Sequence, residues 1–216
     1  MNAPPVGVGL EMRSTDGCAA DSPRESTVTT TDFDWVKLQH QAHLEFARRV
    51  AAVSDWTAPT PDTEWSVRDL VAHVVEEQQW VPYLLAGQSL AQARASIESL
   101  RDDLAAEWSL YSLAATSAWR STPADARVQL SYDTVTVDDY LREQVADVTI
   151  HTWDLARAIG ADETLDDELV RAVWTVFEPQ KAALEASGLF ASPVPVPDDA
   201  PLQSRLLAIT GRDDRI

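Results

Sequence analysis

The run Val137-Asp-Asp-Tyr-Leu-Arg-Glu-Gln-Val-Ala-Asp147-Val-Thr-Ile-His151-Thr-Trp-Asp154-Leu-Ala-Arg-Ala-Ile159, closed by Gly160, reads as one long amphipathic helix. Leu141, Val145, Val148, Thr152, Leu155 and Ile159 recur at helical spacing and form an apolar stripe. Gln144, Asp147, His151, Asp154 and Ala158 form a second, mostly polar stripe beside it. A polar stripe flanked by Trp153 and Leu155 sits at a core margin, where an unpaired carboxylate is costly and needs a partner. Asp147 and His151, one helical turn apart, lie on the same face. Spacing alone makes an ordinary surface ion pair the commoner outcome for such residues. A shared metal ion is the alternative.

Working outward, the rest of the chain is also dominated by helical periodicity. Asp34 can cap a helix from about Trp35 to Val53, with Leu38, Ala42, Phe46 and Val50 on one face. Thr63 or Ser66 opens a second helix to about Ala86, stopped by Gly87, whose inner stripe includes Leu70, His73, Val74, Glu77, Val81 and Leu84. Ser89 opens a third, read as one long helix to about Trp119 and broken by Pro123. Between Arg127 and Val137 the period changes to alternation, with Val128, Leu130 and Tyr132 apolar and Asp133-Thr134 as a turn, which gives a short two-stranded excursion. Thr136 or Asp138 caps the helix quoted above. A fifth helix runs from about Leu165 to Ala186, ending at Gly188. Pro193, Pro195, Pro197 and Pro201 keep the next stretch extended before a last short helix, Leu202 to Thr210. The expected architecture is therefore all-α: a four-helix bundle with a short β-hairpin and C-terminal helices, spanning residues 32–212. Residues 1–31, rich in Pro, Gly, Ser, Thr and Asp, read as a disordered tail within which Met12 offers an alternative start.

Composition removes several classes of function. A net charge of -18 over 216 residues disfavours binding to nucleic acid or to anionic membranes through the general field. No apolar run is long enough to span a bilayer. A lone Cys18 forms neither an intramolecular disulfide nor a thiolate cluster, so a cytoplasmic setting is the simplest reading. No Gly-rich phosphate loop, serine nucleophile elbow or H-E-x-x-H motif is present. His40 and His43 form an H-x-x-H pair on the first helix, but Gln39, Gln41 and Glu45 around them suggest a solvated face. The eight tryptophans read chiefly as interhelical filler. Trp65 and Trp153 lie near the candidate ligands and are expected to wall a cofactor pocket.

Three motifs carry a resemblance. Trp65-Ser-Val-Arg-Asp-Leu-Val-Ala-His73 resembles the second-helix signature of the DinB/YfiT-like metal-binding bundles. Asp147-x-x-x-His151-Thr-Trp-Asp-Leu-Ala-Arg-Ala-x-Gly160 resembles the fourth-helix signature of their actinobacterial branch, which includes the metal-binding domain of mycothiol-dependent maleylpyruvate isomerase. Pro195-Val-Pro-Asp-Asp-Ala-Pro-Leu-Gln-Ser-Arg-Leu-Leu-Ala-Ile-Thr-Gly-Arg212 is similar to the ending of its single-domain members. The resemblance implies a divalent ion held by His73, Asp147 and His151, with zinc expected first and nickel or iron as alternatives. It implies mycothiol or a similar thiol as cofactor and a small electrophile as substrate. Where the isomerase has Glu this chain has Asp147, one methylene shorter, and too little chain follows Gly160 for the isomerase's second domain, so maleylpyruvate isomerisation itself is not expected. On this reading the chain is a metal- and thiol-dependent transferase or isomerase, with Glu77 moving protons and Asp154 orienting His151. The competing readings are a non-catalytic metal- or ligand-binding bundle with a stress or regulatory role, and a bundle whose site has decayed. A homodimer is compatible with such a bundle.

Overall fold

The computed structural model describes residues 33–61, 64–131, 133–188 and 190–216. The expected disordered tail, Cys18, and the alternative helix cap Thr63 lie outside these residues, as does Tyr132. Four long helices form the body: α1 (Trp35–Ala51), α2 (Val67–Leu85), α4 (Leu104–Ser121) and α5 (Val137–Ala158). Between them lie the short α3 (Leu90–Ser96) and a hairpin of β1 (Arg127–Gln129) and β2 (Thr134–Thr136). After them come α6 (Asp167–Phe177), α7 (Lys181–Ser187) and α8 (Leu202–Ile209). The all-α class, the hairpin and the C-terminal helices agree with the sequence reading. Among the described residues no helix is long and apolar enough to cross a membrane.

The helix starts follow from local chemistry. Asp34 accepts a hydrogen bond from the Lys37 backbone N–H at 3.0 Å and opens α1. Ser66 and Asp69 form a reciprocal capping box at the start of α2, and Thr136 with Asp139 forms another at the start of α5. Of the two caps expected for α5, Thr136 is therefore the one used. In the hairpin Val128 pairs with Val135 and both are buried, so this small ribbon closes one end of the core. Gly160, with φ +64°, ends the α5 segment in a conformation that favours glycine.

Two expected helices are each divided. The third breaks after Ser96: Ile97 is extended, and a new helix begins at Asp103, whose carboxylate accepts from the Ala106 N–H at 3.0 Å. Apolar spacing continues through Ile97, Leu100 and Leu104, but the cap at Asp103 overrides it. Arg101 secures the connection by donating to the buried Glu107 carboxylate at 2.6 Å. The fifth breaks at Glu178–Gln180, a 3-10 turn containing Pro179, because a proline ring cannot continue the α-helical ladder.

In the bundle α1 packs on α4 and α5, and α2 packs on α4 and α5. The core is built on Phe46, Trp108, Trp119, Trp153 and Phe177, all nearly inaccessible to solvent. Phe46 and Trp108 meet edge to face at 4.7 Å between ring centres. The solvated face expected around His43 is instead buried: Gln39, His43 and Glu45 are all shielded, and His43 meets Trp108 edge to face at 4.9 Å between ring centres. The burial is made tolerable by hydrogen bonds, because the Gln39 amide lies 3.0 Å from the His43 ring nitrogens and donates to Thr116 Oγ1 at 3.1 Å. His40 remains exposed, so the H-x-x-H pair does not converge on a common point.

Candidate metal centre

The middle of α2 faces the middle of α5, and this juxtaposition joins the two halves of the site. His73 comes from α2, and Asp147 and His151 come from successive turns of α5. One ligand atom from each of the three lies within 4.8 Å of the others. The rings of His73 and His151 are 5.4 Å apart and nearly perpendicular. Trp65, just before α2, packs against both, at 4.8 Å from His73 and 5.8 Å from His151.

His151 is held at both ring nitrogens. Its Nε2 lies 3.4 Å from Asp147 Oδ1, and its Nδ1 lies 3.1 Å from Asp154 Oδ2. Asp154 has no exposed surface, and a fork of hydrogen bonds from Arg212 neutralises it: Nε to Oδ1 and Nη2 to Oδ2, each 2.7 Å. Arg212 Nη1 also donates to the Thr210 carbonyl at 2.9 Å, so the segment after α8 is tied to the site. With the Nδ1 proton directed to Asp154, Nε2 is the ring nitrogen that would turn to an ion beside Asp147.

The electrostatics separate the two histidines. Burial pushes the His73 pKa down to about 4, with the charge of His151 adding to this and Asp147 opposing it. Burial also opposes a charge on His151, but Asp147 and Asp154 outweigh it and raise its pKa to about 10. Burial would raise Asp147, yet His151, then His73 and Arg212, hold its carboxyl below the usual range. Asp154 is likewise held down by Arg212 against the effect of burial.

Next to the three ligand candidates is a narrow, partly enclosed pocket. Its polar lining includes Glu77, Glu143, Gln144 and Asp147, and Trp80, Leu84 and Tyr140 are among its apolar walls. Glu77 is one turn beyond His73 and buried. Burial and then Asp147 push its pKa up to about 7, against a hydrogen bond from Gln144 that lowers it. That bond runs from Gln144 Nε2 to Glu77 Oε2 at 2.6 Å, and Gln144 is itself positioned by Gln78, whose Nε2 donates to Gln144 Oε1 at 3.1 Å.

The site thus brings together His73, Asp147, His151, Glu77 and Trp65. Trp153 is placed elsewhere: it is 1% exposed and lies in the core under the Arg157 guanidinium, 4.6 Å from the ring centre, rather than in the pocket wall. Trp153 lies two residues beyond His151, about 200° round the helix, and this directs it away from the site and into the core. Arg212, Gln78 and Glu143 are site residues that pattern reading does not single out. For Arg212 the only signal is its place at the end of the C-terminal motif.

Asp147 Oδ2 is buried and has no hydrogen-bond partner among the described residues. Buried carboxylate oxygens are rarely left so, and a cation is the natural partner for a carboxylate clustered with two imidazoles. Two imidazoles and a carboxylate are also a donor set suited to Zn²⁺ with positions left open. The residues present fit a divalent ion.

Comparison with known proteins agrees with this architecture. Residues 39–156 match the model of the mycothiol maleylpyruvate isomerase N-terminal domain. The chain is 30% identical over 162 residues to the uncharacterized protein Rv0738 of Mycobacterium tuberculosis (strain ATCC 25618 / H37Rv), a match covering 73% of this chain and 85% of the relative. The uncharacterized protein MT0763 of Mycobacterium tuberculosis (strain CDC 1551 / Oshkosh) matches with the same identity and coverage. Among solved structures, the mycothiol-dependent maleylpyruvate isomerase H52A mutant superposes with a TM-score of 0.54 at 18% identity, over 70% of this chain and 68% of that one. At that identity the likeness is one of fold.

Proposed function

The chain belongs to the family of the mycothiol maleylpyruvate isomerase N-terminal domain, and from that premise we propose that it is a metal- and thiol-dependent enzyme acting on a small electrophile. His73, Asp147 and His151 hold the ion, with zinc as the expected metal. The observation that carries this reading is the clustering of Asp147 with the two imidazoles, its Oδ2 buried and unpartnered among the described residues, beside a pocket lined by Glu77. When bound, a divalent ion supplies a Lewis-acid centre that favours the deprotonated form of a thiol.

The protein's own residues do the rest. Asp154, backed by Arg212, fixes the orientation of His151. Trp65 walls the side where both imidazoles lie and excludes water from it, while Trp153 supports α5 from the core. Glu77, buried one turn beyond His73 with its pKa raised by burial and by Asp147, is placed to accept the thiol proton and return it to the product. Gln144 keeps the Glu77 carboxylate turned toward the pocket. The thiol is of the mycothiol type and the reaction is a transfer or an isomerisation.

The test is turnover of a fluorogenic electrophile by zinc-loaded full-length protein with mycothiol, beside Glu77→Gln. Turnover should require both metal and thiol. It should fall roughly 100-fold or more in Glu77→Gln, the usual scale of a lost general acid–base, with zinc content unchanged. Full activity in that variant removes Glu77 from the mechanism. Absence of turnover with mycothiol and with smaller thiols would replace the enzyme by a metal-binding bundle.

A further inference from the structure

Four large apolar side chains are exposed among the described residues: Leu44, Leu110, Leu113 and Ile216. Leu110 and Leu113 lie on the outer side of α4, 49% and 70% exposed, and Leu44 lies on α1, which packs beside it. The other long helices are covered further: α6 packs on α1 and α5, and α3 and β1 pack on α2. α4 packs on α1 and α2, and no other element packs extensively on it among the described residues. It contributes nothing to the metal centre or to the pocket beside it. Its outer side also lacks exposed charge. From Ala105 to Trp119 the one charged residue is Glu107, which is buried and bonded to Arg101. In a chain with 24% charged residues and a net charge of -18, such a face lets a like-charged copy approach with little repulsion.

The exposed residues of this side have a definite order. Asp103, Ala106, Leu110, Leu113, Ser117 and Arg120 are all exposed and follow one another at spacings of three and four. That is the a/d repeat of a coiled-coil seam. The order also reads alike from either end. Leu110 and Leu113 are central, the small Ala106 and Ser117 flank them, and the opposite charges of Asp103 and Arg120 close the two ends. We propose that a second copy of this chain docks here, α4 against α4, antiparallel about a two-fold axis midway between Leu110 and Leu113. In that register Leu110 meets the partner's Leu113, Ala106 meets the partner's Ser117, and Asp103 meets the partner's Arg120. The leucines lose water at the centre, the small side chains let the helices approach, and the two end pairs set register and direction. Self-complementarity is what singles out a second copy, because a two-fold contact uses the same patch on both chains. α4 has 18 residues and is about 27 Å long, so the contact is at the low end of specific interfaces and the dimer is reversible, with a micromolar dissociation constant.

The test is sedimentation velocity of full-length protein from about 5 to 500 µM in about 0.15 M NaCl, which screens the net charge of the two copies. Wild type should pass from monomer to dimer across that range. Leu113→Asp enters the symmetric contact twice and should raise the dissociation constant roughly tenfold or more, with helical circular dichroism unchanged. Arg120→Glu, opposite the partner's Asp103, should raise it roughly threefold or more. Arg120 is varied rather than Asp103 because Asp103 caps α4. Register is read by cross-linking in a Cys18→Ser background. An equal mixture of Ala106→Cys and Ser117→Cys should form a mixed disulfide under mild oxidation, roughly fivefold more than either variant alone. A monomer at every concentration leaves the face to another occupant and overturns the proposal. Dimerisation that Leu113→Asp or Arg120→Glu leaves unchanged overturns it too, as does a cross-link that either cysteine variant forms alone as readily as the mixture.

Discussion

Arg212 is the residue on which the site's geometry leans most heavily. It forms two 2.7 Å hydrogen bonds to a carboxylate with no solvent exposure, and that carboxylate in turn holds His151 Nδ1. Removing one partner of a buried ion pair is far worse than removing both, since it leaves an uncompensated charge. Arg212→Met should therefore destabilise the fold by about 3 kcal/mol in urea denaturation. It should also weaken zinc binding roughly tenfold or more, the usual scale for losing a group that orients a ligand. A loss under about 0.5 kcal/mol would mean that Asp154 is satisfied without it. At this scale the sequence is informative only locally. Asp147 and His151 are legible because one helical turn separates them, and His73 is legible because it interrupts an apolar stripe. The Arg212–Asp154 pair joins positions that no local periodicity links, and the same holds for the contact of Gln144 with Glu77. Trp153 shows the opposite limit: adjacency in sequence to a site residue placed it on the wrong side of the helix.

Among the elements, the α1–α4 contact carries a testable pH dependence. His43 on α1 is packed on Trp108, with Gln39, Thr116 and Gln78 as its polar neighbours and His40 as the nearby titratable group. Burial, the largest influence, lowers its pKa to about 3, against hydrogen bonding that would raise it. Between that value and the ordinary 6.5 the unfolded chain binds a proton that the folded chain does not. Stability from this group is thus full above about pH 6.5 and is lost as pH falls toward 3, by at most about 1.4 kcal/mol per pH unit. Urea midpoints at descending pH should fall more steeply for wild type than for His43→Gln. Parallel curves would mean that His43 is protonated in the folded protein or reaches water. The elements themselves were largely readable from caps and periodicity. The exceptions are physical: a cap at Asp103 cuts an apolar stripe that runs on in sequence, and Pro179 interrupts another. The polar pattern of α1 suggests a solvated face and cannot signal its burial, because the partners of the Gln39 amide N–H, His43 and Thr116, lie inside the bundle.

For the molecule as a whole, the bundle places one face of α2 against one face of α5, and among the ligand candidates that meet there Asp147 Oδ2 is buried without a hydrogen-bond partner among the described residues, which is where the proposed ion would bind. The most direct measurement is elemental analysis of full-length protein purified without chelator, beside His73→Ala, Asp147→Ala and His151→Ala, each checked for retained helicity. The account predicts close to one divalent ion, chiefly zinc, per wild-type chain and its loss from all three folded variants. Wild-type protein that takes up no metal after incubation with zinc, nickel or iron, or folded variants that keep full occupancy, would contradict it.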